Sequence, residues 1–255
     1  MVKALKITVF LLISVFFGCT EKKEKNDFDL IEDVEVRKVI EFAMSNSGEL
    51  DKWRELKELN FDKISILFLE DGTIEDSTNQ SIHFGFHPEF SADISWQKDS
   101  SMYRVMYKRD TTYFSVNDSI TSVNDRKRHN LVMSALYTVG MPYKLMDKGT
   151  TLTQVGSKVI EGVSVETIKA GYDTESNSNH SSNEVWWYYF DDNTGKFVGS
   201  MVYHPPTYAF IENTSFAEAN GLKFPSHRLS FRVDSLGTKQ FLRGEFFYKN
   251  FAVRF

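Results

Sequence analysis

The sequence is short of most devices that carry chemistry or covalent stability. Among its 255 residues there is one cysteine, Cys19, so no disulfide can close within the chain and no CxxC zinc site can be built. Only five prolines occur, and no Gly/Ser/Pro-rich stretch divides the chain; a single domain is expected. No basic cluster exists: 30 Lys and Arg stand against 35 Asp and Glu, for a net charge of −5. That balance argues against nucleic acid as a partner and against a polybasic membrane contact. The sequence contains no G-x-S-x-G, no H-E-x-x-H and no G-x-x-x-x-G-K-[ST], so neither a catalytic motif nor a cofactor or phosphate loop is legible and none is expected. His83 and His87 are four apart, but "SIHFGFH" reads as a strand. Residues so spaced on a strand lie about 13 Å apart, too far to share an ion, and no metal site is expected.

Long apolar runs are also missing, with one exception. Ile7 to Phe17 is apolar apart from Thr8 and Ser14, behind Lys3 and Lys6. As a helix it would span about 16 Å, roughly half the hydrocarbon core, which suits a signal peptide. The run ends on Phe16-Phe17-Gly18-Cys19, which resembles the lipobox of bacterial lipoproteins, although Phe16 and Phe17 depart from the usual Leu and small residue. The resemblance implies cleavage before Cys19, acylation of Cys19, and stable anchoring by two or three acyl chains (palmitate among them), where one chain would hold only marginally. Thr20 follows where an inner-membrane retention signal would place Asp, so the outer membrane is the expected address, facing the periplasm, with surface exposure left open. Residues 1–18 are read as the signal peptide, 19–29 as a solvated tether, and 30–255 as one domain.

What the chain has in abundance is aromatic residues: 22 Phe, 11 Tyr and 4 Trp, a bias that favours β structure. Val36, Val39, Ile40, Ala43 and Met44 recur with helical spacing behind Asp33, a candidate N-cap, and Ser47-Gly48 ends that helix. Leu50 to Lys57 reads as a second short helix. Five candidate strands follow, from Phe61–Phe68 to "TTYFSVND". A central helix is expected from Asn124 or Asp125 to Val139, with Leu131, Val132, Ala135, Leu136 and Val139 as its apolar stripe and Gly140 and Pro142 as its stop. Strands resume at "TLTQVGSKVI" and "VSVETIKAGYD", then "EVWWYYFDD", "KFVGSMVYH", "SHRLSFRVD" and "EFFYKNFAVRF", with Ser176–Asn183 as a polar loop and Asp191 to Gly195 as a hairpin turn, not a calcium loop. The expected class is α+β: a large, strongly curved antiparallel sheet with a central helix and short N-terminal helices.

Several phrases in order, "GELDKWRELKELNF", "MPYKLMDKG", "VGSKVIEGVSVETIKAGYD", "WYYFDDNTGKFVG" and "NGLKFPSHR", together resemble a family of uncharacterised lipoproteins of Bacteroidetes type, a DUF6503-like group. That group is similar in architecture to the lipoprotein-carrier fold of LolA, LolB and RseB. The resemblance implies a half-barrel able to hold an acyl chain and carries over no residue by position. Trp186-Trp187-Tyr188-Tyr189-Phe190 is aromatic on both faces of a strand, so either both faces pack on protein or one faces a cavity. Trp186, Tyr188 and Phe190, with Leu131, Ala135 and Leu136 of the helix, are the candidate cavity or lid residues. Two functions follow: a non-catalytic binder of a hydrophobic ligand, or an envelope-stress sensor whose helix fills the cavity and whose surface binds a protein partner.

Overall fold

In the computed structural model, which describes residues 27–173 and 184–255, Asp33 caps the first helix as its position predicts. Its Oδ1 accepts from the backbone N–H groups of Glu35 (2.9 Å) and Val36 (3.2 Å), which satisfies donors at the start of α1 (Val34–Ser47). Val36, Ile40, Ala43 and Met44 are buried on one side of it. Gly48 ends it at φ 115°, packed so tightly on the Gly221 backbone that a Cβ would collide. The second helix, α2, is shorter than expected, Leu50–Arg54. Its Trp53 stacks on Tyr143 at 4.9 Å, and Leu56 just beyond is fully buried. Asp27 to Leu30 form a 3-10 turn, with Arg37 bonded to Asp29 and Arg54 to Asp27 and Phe28 packed on the core. Asp27 to Asp29, read from the sequence as the end of a tether, belong to this turn. Cys19, the rest of the tether and the Ser176–Asn183 loop lie outside the described residues.

A first meander holds β1 (Glu58–Phe68), β2 (Ile74–Gly85), β3 (Ser91–Lys98), β4 (Ser101–Lys108), β5 (Thr111–Val116) and β6 (Ser119–Val123). Asp125 then caps α3 (Arg126–Gly140), its Oδ1 accepting from Arg128 N–H at 3.0 Å. The second meander holds β7 (Thr150–Ile160), β8 (Val163–Tyr172), β9 (Val185–Asp191), β10 (Phe197–His204), β11 (Thr207–Ala219), β12 (Leu222–Val233) and β13 (Lys239–Arg254). Pairing of β1 with β13 joins the two into one curved, unclosed antiparallel sheet of thirteen strands, with β6 and β7 at its edges. The expected fold class is the observed one; β6 and β11 are strands the sequence patterns did not mark.

The helices lie on the concave face. α1 contacts β7 and β12, while α3 contacts β4, β5 and β12. Val132, Ala135, Leu136 and Val139 of α3 join Phe84, Ile94 and Val105 of β2, β3 and β4 in one buried core. A second, smaller cluster on the other face of β8–β12 contains Val165, Tyr189, Met201, Phe210 and Val233. The aromatic residues of β9 divide between the two clusters. Trp186, Tyr188 and Phe190 belong to the main core, while Trp187 and Tyr189 belong to the second cluster, where the Lys158 ammonium lies 4.1 Å from the Tyr189 ring centre.

Candidate functional site: a cleft between α3 and β9–β12

The buried stripe of α3 is only one of its faces. Arg126, Asn130, Ser134 and Thr138 recur every fourth residue on another, with Met133, Tyr137 and Met141 beside them, and together they wall a cleft of about 520 Å³. Its floor is supplied by the sheet. Tyr188 pairs with Ser200, and Ser200 with Ile211, so these three side chains stand in one row on the concave side. Trp186 stacks on Tyr188 at 5.8 Å with the rings 7° apart, and Phe197 continues the aromatic surface 6.0 Å from Tyr188. Underneath, the Tyr188 and Tyr172 hydroxyls bond each other at 2.7 Å. Burial pushes both phenols well above their ordinary pKa, so both are neutral around pH 7.

The ends of the cleft differ. At the rim, Glu184 accepts from Trp186 Nε1 at 3.2 Å and lies 2.9 Å from His204 Nδ1. The His204 side chain is 68% exposed. At the inner end, Arg228 is only 9% exposed. Its Nε donates to Asn213 Oδ1 at 3.0 Å and its Nη1 to Thr138 Oγ1 at 2.9 Å. Asn213 Nδ2 in turn donates to the Phe197 carbonyl at 3.1 Å, and the Thr138 hydroxyl to the Ser134 carbonyl at 2.8 Å. This network ties α3 to β11 and β12. What the arrangement offers is burial of an apolar body against aromatic rings, with polar groups of different sign at its two ends. Among the described residues, no hydroxyl bonds the His204 imidazole.

The structure divides the candidate residues read from the sequence. Trp186 and Tyr188 line the cleft. Phe190, on the same side of β9, lies farther along, in a shallow hollow with Val39 and Phe42 of α1. Ala135 and Leu136 are buried in the core and Leu131 packs against it, so α3 meets the cleft with its other face. His83 bonds Asn60 Oδ1 at 2.7 Å, while the His87 ring bonds the Arg54 carbonyl at 3.2 Å, so the two have separate partners. Asp191 Oδ1 accepts from the N–H groups of Asn193 and Thr194, the geometry of a turn. The sequence reading did not mark Arg228, Asn213, Thr138 or Glu184. The available signal was the i, i+4 series of polar residues beside Met133, Tyr137 and Met141.

No family model matches the sequence, and no curated protein matches it. Solved structures do. A DUF1329 family protein from Desulfovibrio piger superposes with a TM-score of 0.55 at 8% identity, over 86% of this chain and 92% of its own. A LolA superfamily protein from Nitrosomonas europaea gives 0.55 at 8% identity, over 86% and 94%. A domain described as an outer membrane lipoprotein-sorting protein, from Vibrio parahaemolyticus, gives 0.50 at 5% identity, over 85% and 91%. At such identities the likeness is one of architecture, and it accords with the curved sheet and the helices on its concave face: the chain has the LolA-like fold.

Proposed function

We propose that the chain is a bacterial envelope lipoprotein that binds a hydrophobic ligand, an acyl chain, in the cleft between α3 and β9–β12, without chemistry. The observation that carries this is the cleft itself, about 520 Å³ against Trp186, Tyr188, Phe197 and Ile211, within the range of about 300–1,000 Å³ typical of small-molecule sites. The lipobox-like Cys19 and the phrases resembling Bacteroidetes-type lipoproteins support an acylated anchor in the outer membrane, with the domain facing the periplasm. The physical account is burial. About twelve methylenes at ~0.8 kcal/mol each give about 10 kcal/mol, and association costs about 4 kcal/mol or more. What remains, about 6 kcal/mol or less, corresponds to a Kd in the tens of micromolar at best. An apolar tail alone binds weakly here.

The test is a titration of the chain from residue 19 with Cys19→Ser, freed of lipid, with a fluorescent fatty-acid probe. This form keeps every described element, since those begin at Asp27. Saturable binding is expected, weakened about tenfold or more by Trp186→Ala. A folded, lipid-free protein that takes up no probe contradicts the proposal. The buried α3 stripe favours a second reading, a module that docks a protein partner with its half-barrel filled by its own helix, and absence of probe binding would turn attention there.

A further inference from the structure

Resting on that reading, we infer that the cleft selects an anionic amphiphile and that the guanidinium of Arg228 holds its head group. A charged side chain removed from water is ordinarily neutralised by an opposite charge. Other arginines of this protein follow the rule while being more exposed. Arg104 pairs with Asp93, Arg243 with Glu75 and Arg254 with Glu58. Arg228, at 9% exposure, is bonded only to the neutral oxygens of Asn213 and Thr138, and among the described residues no carboxylate pairs with it. The carboxylate that does line the cleft, Glu184, is held at the far end by Trp186 and His204.

Arginine presents five N–H donors in a rigid fork that matches a carboxylate or a phosphate. The bonds to Asn213 and Thr138 use Nε and one terminal nitrogen and hold the guanidinium in place. The second terminal nitrogen takes no partner among the described residues, and Arg228 is a wall of the cleft. Phe197, Tyr188 and Met141 line the same cleft and favour an apolar tail. A preset cation beside an apolar surface is complementary to a negative group on the end of a chain, and the dry surroundings strengthen that attraction. Orientation follows as well. Asn213 puts Arg228 level with Phe197, while His204 at the other end of β10 is about 20 Å away along the strand. Glu184, bonded to His204, lies at that end, and Arg126 also lines the cleft; with the head group on Arg228, the tail extends toward Trp186.

A free fatty acid and a phosphorylated single-chain lipid share this chemistry, and the test separates them. The residue-19 form with Cys19→Ser, freed of lipid, is titrated calorimetrically with decanoate, decyl phosphate, 1-decanol and decyltrimethylammonium at neutral pH and low salt. The better of the two anions should bind about tenfold or more tightly than 1-decanol, from one charge-assisted contact, and the ammonium should bind most weakly. A preference for decanoate points to a fatty acid as the source, and a preference for decyl phosphate to a phosphorylated lipid. Arg228→Gln, which can still bond Asn213 or Thr138, should remove the preference for the anion over 1-decanol. The wild-type series decides the head-group claim even if that variant fails to fold. Equal affinity for anion and alcohol in the wild type, or a preference that survives in folded Arg228→Gln, overturns the inference and leaves the hydrophobic cleft standing. Binding of none of the four overturns the proposed function together with it.

Discussion

The two halves of the concave face share one sheet and one helix, yet one half is dry and the other is open. Over β2–β5 the stripe Val132, Ala135, Leu136 and Val139 meets Phe84, Ile94 and Val105, three residues with no exposed surface. Over β9–β12 the same helix presents Asn130, Ser134 and Thr138 to Trp186, Tyr188 and Ile211. The Ser134 and Thr138 hydroxyls are bonded within the helix, to the Leu131 and Ser134 carbonyls, and the short polar side chains of this face leave space above the rings, which is the cleft. The lesson is that one amphipathic helix can set both the solid and the hollow part of a half-barrel, according to which residue types it turns to each side.

The largest expected effect breaks that contrast outright. Leu136→Glu places an unpaired carboxylate in the dry half and should abolish cooperative thermal unfolding, since such a charge costs several kcal/mol. Ser134→Glu, two residues away on the open face, should shift stability by no more than about 0.5 kcal/mol. Similar melting curves for the two variants would refute the division. Next in size, Phe84→Ala in the dry half should lose about 3–5 kcal/mol in urea unfolding. Trp186→Ala on the cleft floor should lose under about 2 kcal/mol, because its ring is only half-buried.

A smaller effect probes the layer under the cleft. Tyr172→Phe removes the partner of the buried Tyr188 hydroxyl and should cost about 1–3 kcal/mol. The same pair sets a pH dependence. Burial raises both phenols in the folded state, so the folded chain holds these protons more tightly than the unfolded one. Their contribution is fully present below the ordinary tyrosine value of about 10 and falls as pH rises above it. Urea midpoints should stay level up to about pH 10, as far as these phenols govern them, and drop beyond it, with tyrosinate absorbance appearing as the chain unfolds. Tyr107, raised to about 12 by burial and then by its bond to Asp110, should behave likewise. The smallest effect is Asp33→Ala, which removes the cap of α1 far from the cleft, for about 1 kcal/mol and no change in probe binding.

Much of the fold was legible. The spacing of Val36, Ile40, Ala43 and Met44, the Asp33 cap and the Gly48 stop were read where they occur, and the cap of α3 was narrowed to Asn124 or Asp125, because all are local signals. β6 escaped because nearly every residue of Ser119–Val123 is exposed, so no inward face was there to see. β11 escaped because bulges near Ser215 interrupt its alternation. The pairing of β1 with β13, which closes the two meanders into one sheet, joins opposite ends of the domain and has no local signature. In the cleft, the aromatic run pointed to Trp186 and Tyr188. It could not tell which face of α3 would meet them, since an apolar stripe marks the core and a polar stripe ordinarily marks solvent. Arg228 looked like any strand arginine; only the tertiary structure shows it buried and, among the described residues, without an acid.

The central claim, that the open half of the half-barrel holds an acyl ligand, is tested most directly by native mass spectrometry of the residue-19 form with Cys19→Ser, expressed into the periplasm and purified without detergent. The account predicts a non-covalent adduct of lipid mass that is lost on solvent extraction and restored on adding an acyl-chain compound. A protein that is empty as isolated and stays empty in the presence of fatty acid would contradict it.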